Sequence, residues 1–197
     1  KVAWNGKKFQ YRGTFVSLTE NFCSIGMEQP AGNKITGNPS SHPALSVKWV
    51  EDFPDIPLNR NEAYKLRVTS KGVEIEAITE TGVYRAIQTL RQLTEKKGNG
   101  IAITGCEITD WPAFRIRGFM QDVGRTYIST DELKREIAIL ARYKINVFHW
   151  HLTENQAWRL QSKVFPMLND SVNTTRQPGK YYTLEEAREL AAFCKQH

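Results

Sequence analysis

Short runs in which apolar and β-branched residues alternate with polar ones open the chain, at Gly13–Leu18, Ala44–Val50, Tyr64–Thr69 and Val73–Ile78. A period of two predicts strands that bury one face each. Ser70-Lys71-Gly72 lies between the last two runs and reads as a hairpin turn, and Gly37-Asn38-Pro39-Ser40-Ser41 separates the first two. Over Thr81–Lys96 the period changes: Val83, Ile87, Leu90 and Leu93 fall on one helical face, and Gly98-Asn99-Gly100 ends the helix. Ile101–Ile108 returns to strand.

Beyond Asp110-Trp111-Pro112 the order is strand, helix, strand, helix. Gly118–Val123 is strand-like. Ser129 with Glu132 makes a capping box for a helix to about Tyr143, with Leu133, Ile137, Leu140 and Ala141 turned inward. Asn146–Leu152 is apolar on both faces, which predicts a parallel strand covered on both sides. Thr183 with Glu186 makes a second capping box, and Ala187, Leu190, Ala191 and Cys194 continue that helix. The fold class read from this order is α/β: a small N-terminal α+β domain over residues 1–110, then the first two β/α units of a (β/α) TIM-type barrel over 111–197. A complete barrel takes about 250 residues, so the second part is expected to be a piece of a larger barrel.

Composition narrows the function classes. The chain has 197 residues, 40% hydrophobic and 24% charged, as in ordinary globular proteins. Its net charge is +6, but Lys and Arg are interspersed with Asp and Glu, with no basic block bearing aromatics; nucleic acid is not an expected partner. No apolar run is long enough to span a bilayer, and no signal-peptide pattern opens at Lys1. Cys23, Cys106 and Cys194 are odd in number and widely spaced, which fits small buried or free thiols rather than a disulfide framework or a zinc motif. Asn169-Asp170-Ser171 and Asn173-Thr174-Thr175, in the polar loop Ser162–Tyr182, match the glycosylation acceptor pattern, a pattern that polar loops also produce by chance.

The chemistry gathers where two strands end. The first strand leaves through Asp122-Val123-Gly124-Arg125-Thr126-Tyr127 and the second through Thr153-Glu154-Asn155-Gln156. If the strands are adjacent and parallel, both exits lie at the C-terminal rim, where barrels bind ligands. Arg125 and Glu154 then become neighbours. A guanidinium suits paired oxygens such as a carboxylate or vicinal sugar hydroxyls; a plain ion pair at a loop edge satisfies the same two residues equally well. Asp122 is placed to orient Arg125 or to bond the loop backbone. His149 and His151 share a strand face. A His-X-His pair can bind metal, but no third ligand has recognisable spacing, and His42 and His197 lie elsewhere. No metal or cofactor is therefore expected, and His151, nearer the exit, is the candidate for a pocket floor. Trp158 can floor a sugar subsite or pack on the rim.

Two stretches carry a family resemblance. Trp111-Pro112-Ala113-Phe114-Arg115-Ile116-Arg117-Gly118-Phe119-Met120-Gln121-Asp122-Val123-Gly124-Arg125 and Tyr143-Lys144-Ile145-Asn146-Val147-Phe148-His149-Trp150-His151-Leu152 resemble the β-N-acetylhexosaminidases of glycoside hydrolase family twenty. Thr81–Leu93 is similar to the last helix of that family's N-terminal domain. The resemblance implies removal of terminal β-linked N-acetylhexosamine from glycans or chitin oligomers by a substrate-assisted retaining route, in which the acetamido oxygen of the substrate attacks the anomeric carbon. It maps the sugar-gripping arginine onto Arg125. It maps the acidic residue that supports a distant histidine, which in turn steadies the catalytic acid, onto Glu154. Most members carry Asp-Asp where this chain has Glu154-Asn155; the glutamate reaches one methylene further, so either the neighbouring backbone adjusts or the relay weakens. The family's catalytic Asp-Glu pair belongs after the fourth barrel strand, so these 197 residues alone are expected to be inactive. The resemblance also implies an exported enzyme, periplasmic, extracellular or lysosomal in type. A non-catalytic carbohydrate-binding or scaffolding module is the alternative. The open edge of a partial barrel predicts self-association.

Overall fold

A computed structural model describes residues 9–18, 44–97 and 100–197. The Gly37–Ser41 turn, Cys23 and His42 lie outside the described residues. The chain divides into two compact units, Lys1–Arg115 and Ile116–His197.

The first unit is a six-stranded sheet with one long helix. Its strands are β1 (Phe9–Leu18), β2 (Ala44–Trp49), β3 (Tyr64–Thr69), β4 (Gly72–Ala77), β5 (Thr94–Lys97) and β6 (Gly100–Asp110), and its helix is α1 (Glu80–Leu93). They run in the order β1-β6-β3-β4-β2, with β5 also paired to β6. The expected β3–β4 hairpin is present, with Thr69 opposite Gly72. Alternation does the sorting: Tyr64, Leu66 and Val68 on β3 and Val73, Ile75 and Ala77 on β4 are buried, and Ala86 and Leu90 of α1 pack on the same core. Between them, Lys48–Glu76 (2.7 Å) and Arg67–Glu107 (3.2 Å) form cross-strand ion pairs. Such solvent-exposed pairs are screened and contribute little to stability.

One expectation fails here, for an identifiable reason. The helix stops at Leu93, and Thr94–Lys97 is a strand, paired with β6 from Thr94↔Ile103 to Lys97↔Gly100. Ladder bonds to an eleven-residue strand outweigh the weak helical preference of a charged tail. Residues 98–99, expected to end the helix, lie outside the described residues. The apolar stripe of the helix does pack on the core, but burial extends beyond it. Gly82, Arg85, Ala86, Gln88, Thr89 and Leu90 are buried, whereas Val83, Ile87 and Leu93 are only partly buried. Gly82 permits this, since a Cβ there would lie 2.5 Å from the Ala63 carbonyl oxygen and 3.1 Å from the Ala77 Cβ. Most of the polar groups are taken up in bonds: the Tyr64 hydroxyl donates to Asp110 (2.8 Å) and meets the Thr89 hydroxyl, and the Arg85 Nε pairs with Glu62 at 2.9 Å, while the Arg85 Nη1 is buried with no partner among the described residues.

The second unit runs β7 (Gly118–Asp122), α2 (Thr130–Arg142), β8 (Val147–His151), a short hairpin of β9 (Thr153–Glu154) and β10 (Ala157–Trp158), a long loop, and α3 (Leu184–Gln196). Both capping boxes form: the Ser129 and Thr183 hydroxyls accept from the Glu132 and Glu186 amides, and each glutamate reaches back to its cap. β7 and β8 are parallel, in register from Gly118↔Val147 to Asp122↔His151. Val123, Leu133, Ile137, Tyr182 and Leu190 form the core on one side of the strand pair, with Phe148, Trp150 and Leu152 against it. The expectation that β8 is covered on both sides is not met among the described residues. Met120, Val147 and His149 face the other way and are exposed. A pleat turns alternate side chains to opposite faces, and both helices pack on one of them.

Candidate functional site

The parallel register sets Asp122 directly opposite His151 at the C-terminal ends of β7 and β8. Val123 and Gly124 both donate their amides to the His151 carbonyl, at 3.0 and 3.1 Å, so the two exits leave side by side. Beyond them, the Arg125 Nε lies 3.1 Å from one Asp122 oxygen and its Nη2 3.2 Å from the Glu154 Oε1. The other Asp122 oxygen accepts from the Arg125 amide at 3.1 Å. Asp122 thus does both things foreseen for it: it orients the guanidinium and ties the turn.

Arg125 remains 59% exposed, against 21% and 26% for the side chains of Asp122 and Glu154. The two carboxylates hold its base from below and leave the remaining donors of the fork toward solvent. His151 sits under this group, with Nδ1 3.7 Å from Asp122 and Nε2 3.8 Å from Glu154, both beyond hydrogen-bonding distance. Its Nδ1 is shut off from solvent and has no hydrogen-bond partner among the described residues. His149 is exposed, and its ring centroid lies 6.1 Å from that of His151.

Asp122, His151 and Glu154 each offer a ligand atom, all within 4.8 Å of one another, a donor set able to hold a divalent cation. The guanidinium already bridges both carboxylates, so a metal ion would compete with a fixed positive charge at the same oxygens. Trp158 stands apart from the cluster. It pairs with Thr153 across the β9–β10 hairpin and is 40% exposed, lining a cleft of ≈ 330 Å³ with Glu154, Met167 and Asn173. Glu154 alone belongs to both the cleft and the Arg125 cluster.

Gly124 is buried against Glu154; a Cβ at 124 would lie 3.0 Å from the Glu154 nitrogen and 3.1 Å from its Cβ and Cγ.

Sequence reasoning missed Arg159. It is fully buried and donates to four carbonyls: Nε to Val123 (3.1 Å), Nη1 to Gln177 (3.1 Å) and Lys180 (2.7 Å), Nη2 to Arg176 (2.7 Å). Burial lowers its pKa from the ordinary arginine value. The one signal available was its position just after the Glu-Asn-Gln exit and before a long loop with the Gln177-Pro178-Gly179 turn. The two acceptor-pattern asparagines are likewise occupied. Asn169 donates to the Leu160 carbonyl (3.0 Å) and accepts from the Ser162 amide (2.7 Å), and Asn173 donates to the Met167 carbonyl (2.8 Å).

Comparison with known proteins decides the family. The catalytic-domain model of glycosyl hydrolase family 20 matches residues 114–197, and the family's domain 2 model matches residues 24–111. This chain belongs to glycosyl hydrolase family 20. A relative, the beta-hexosaminidase of Porphyromonas gingivalis, is 39% identical over 179 residues, covering 84% of this chain and 21% of the relative. Among solved structures, the chitobiase of Flavobacterium johnsoniae superposes with a TM-score of 0.75 at 26% identity, over 96% of this chain and 32% of that one. The exo beta-N-acetylglucosaminidase of Vibrio harveyi, solved in complex with N-acetylglucosamine, does so with a TM-score of 0.73 at 26% identity, over 96% and 33%. The chain therefore spans about a fifth to a third of the length of these relatives. The α+β unit and the β-α-β-α unit are accordingly the family's domain 2 and the opening of its TIM barrel.

Proposed function

We propose that the whole protein hydrolyses terminal β-linked N-acetylhexosamine from glycans or chitin oligomers by the substrate-assisted route of its family, and that Arg125 binds the terminal sugar. The observation that carries this is the exposed Arg125 fork, held at its base by Asp122 and Glu154 where two parallel barrel strands end. A guanidinium fixed by two carboxylates has little freedom left to lose on binding vicinal hydroxyls, and fixing it beforehand lowers the entropic cost. Asp122 holds the fork from its own strand. Glu154 holds it from the next strand and supports the acid-steadying histidine that the family resemblance implies. The named relatives are hexosaminidases, chitobiases and N-acetylglucosaminidases, which favours catalysis over a non-catalytic sugar-binding or scaffolding role.

The test is hydrolysis of p-nitrophenyl N-acetyl-β-D-glucosaminide by the whole protein. Arg125→Ala should raise KM at least tenfold, since a charged hydrogen-bond donor contributes about 1.5–3 kcal/mol. Unchanged KM in that variant would remove Arg125 from the sugar site, and an inactive parent protein would remove the activity. Family analogy also supports export, checked by cell fractionation. The exposed inner face of β7 and β8 supports self-association of these 197 residues on their own, checked by light scattering.

A further inference from the structure

The segment that carries Arg125 is held from outside by a distant part of the chain. Residues 176–182 reach it at three points. The Arg159 guanidinium joins the Val123 carbonyl to the carbonyls of Arg176, Gln177 and Lys180. The Gln177 side-chain carbonyl accepts from the Tyr127 amide. The Tyr182 hydroxyl donates to the Ile128 carbonyl at 2.6 Å and lies 3.4 Å from the Ile128 amide. Tyr182 also stacks on Tyr127, with ring centroids 4.8 Å apart. Val123, Tyr127 and Ile128 bracket Arg125 on both sides, so the turn it rides on is fixed before and after it.

The holding turn is itself constrained. Gln177 has a left-handed backbone (φ 50°), as does Gly179 (φ 74°), and the Lys180 amide donates back to the Gln177 carbonyl at 3.3 Å. This conformation turns three carbonyls toward a single guanidinium. A planar fork with several donors can satisfy them together where an ammonium could not. None of these groups touches the Arg125 side chain, so their effect on it passes through the backbone.

We propose that Arg159, Gln177 and Tyr182 form a clasp by which the loop after β8 sets the position of Arg125, making them positioning residues for sugar binding. The inference rests on Arg125 being the sugar-binding residue. It departs from a purely structural role in one respect: loosening the clasp at Gln177 should cost sugar binding without costing fold stability. Gln177→Gly is the variant that separates the two. It deletes the bond to Tyr127 and, at a left-handed position, relieves the backbone rather than straining it. Gln177→Glu keeps an acceptor oxygen at the same reach.

Both variants are made in the whole protein. For Gln177→Gly the expected result is a KM raised roughly five- to tenfold, the fold-change that loss of one hydrogen bond corresponds to. The turnover number should stay within about twofold, because binding lost equally from ground and transition states moves KM alone. The melting temperature should be unchanged or higher, and Gln177→Glu should restore KM. Amide exchange at Tyr127, read by NMR or mass spectrometry, should speed up in Gln177→Gly and return to the parent rate in Gln177→Glu. A parental KM in Gln177→Gly with Tyr127 exchange accelerated overturns the positioning role. Unaltered Tyr127 exchange overturns the clasp itself. A parent protein that does not cleave the glycoside defeats the proposed activity instead, and the exchange measurement still decides the clasp.

Discussion

Replacing Gly124 by alanine tests the closest approach in the site. The added Cβ would meet the Glu154 nitrogen at 3.0 Å and its Cβ and Cγ at 3.1 Å. Carbon contacts are comfortable at about 3.5–4.0 Å, so three atoms must retreat by roughly 0.4 Å or more, one of them backbone. Residue 124 is itself tethered through its amide to the His151 carbonyl at 3.1 Å, so the β9–β10 side has to yield. Overpacking of this kind costs about 1–3 kcal/mol. The same displacement carries Glu154 away from Arg125. Their 3.2 Å contact is already at the long end of the hydrogen-bond range, and a further ~0.4 Å breaks it. That contact is exposed and contributes about 0–1 kcal/mol to stability, so the loss of stability should come from the steric term and the loss of binding from the broken pair. Thermal melting of the Gly124→Ala protein should show a drop of several degrees, and glycoside kinetics should show KM raised severalfold. Gly118→Ala is the control, because its added Cβ would meet nothing nearer than Val147 at 3.9 Å. A Gly124→Ala protein that melts with the parent and keeps its KM would mean that Glu154 is not held against residue 124 at all.

Two further outcomes follow from buried groups of the second unit. Arg159→Met should destabilise by about 3–5 kcal/mol in urea titration, because the carbonyls of Val123, Arg176, Gln177 and Lys180 lose their shared donor; a loss below about 1 kcal/mol would show those carbonyls solvated by other means. Burial pushes the Tyr182 phenol up to about 12. A folded-state pKa above the ordinary value of about 10 gives stability that is complete below pH 10 and falls as pH rises toward 12. Melting temperatures taken from pH 9 to 12 should therefore decline less steeply in Tyr182→Phe than in the parent, and parallel slopes would contradict this.

The parts of the fold that could be read in advance were those whose cause is local. Each capping box is complete within four residues, and both Ser129/Glu132 and Thr183/Glu186 form. The β3–β4 hairpin needs only two alternating runs and a turn. What could not be read depends on partners remote in sequence. Nothing in Ala44–Trp49 announces parallel pairing with β4, and nothing in Thr94–Lys97 reveals that β6 extends far enough to pair with it. The wider burial of α1 has the same origin: beside its apolar stripe, Gly82 lets the helix approach Ala63. The close fit then draws in Arg85, Gln88 and Thr89 with their partners.

The candidate site follows the same division, and that bears on how it works. Arg125 and Glu154 could be brought together from the sequence because one β/α unit between parallel strands fixes the distance between exits, whatever the loops do. The residues that hold the Arg125 turn could not, because they lie in the loop after β8 and act through backbone atoms that any sequence supplies. Arg159 bonds four carbonyls and Gln177 an amide; neither choice of partner leaves a mark on the partner's identity. The barrel strands thus deliver Arg125 to the rim, and the loop holds the turn it rides on. Loop changes that spare every charged residue of the rim should therefore alter sugar binding through Arg125, whereas changes on the helix-facing side of β7 and β8, at Val123 or Trp150, should first be felt as lost stability.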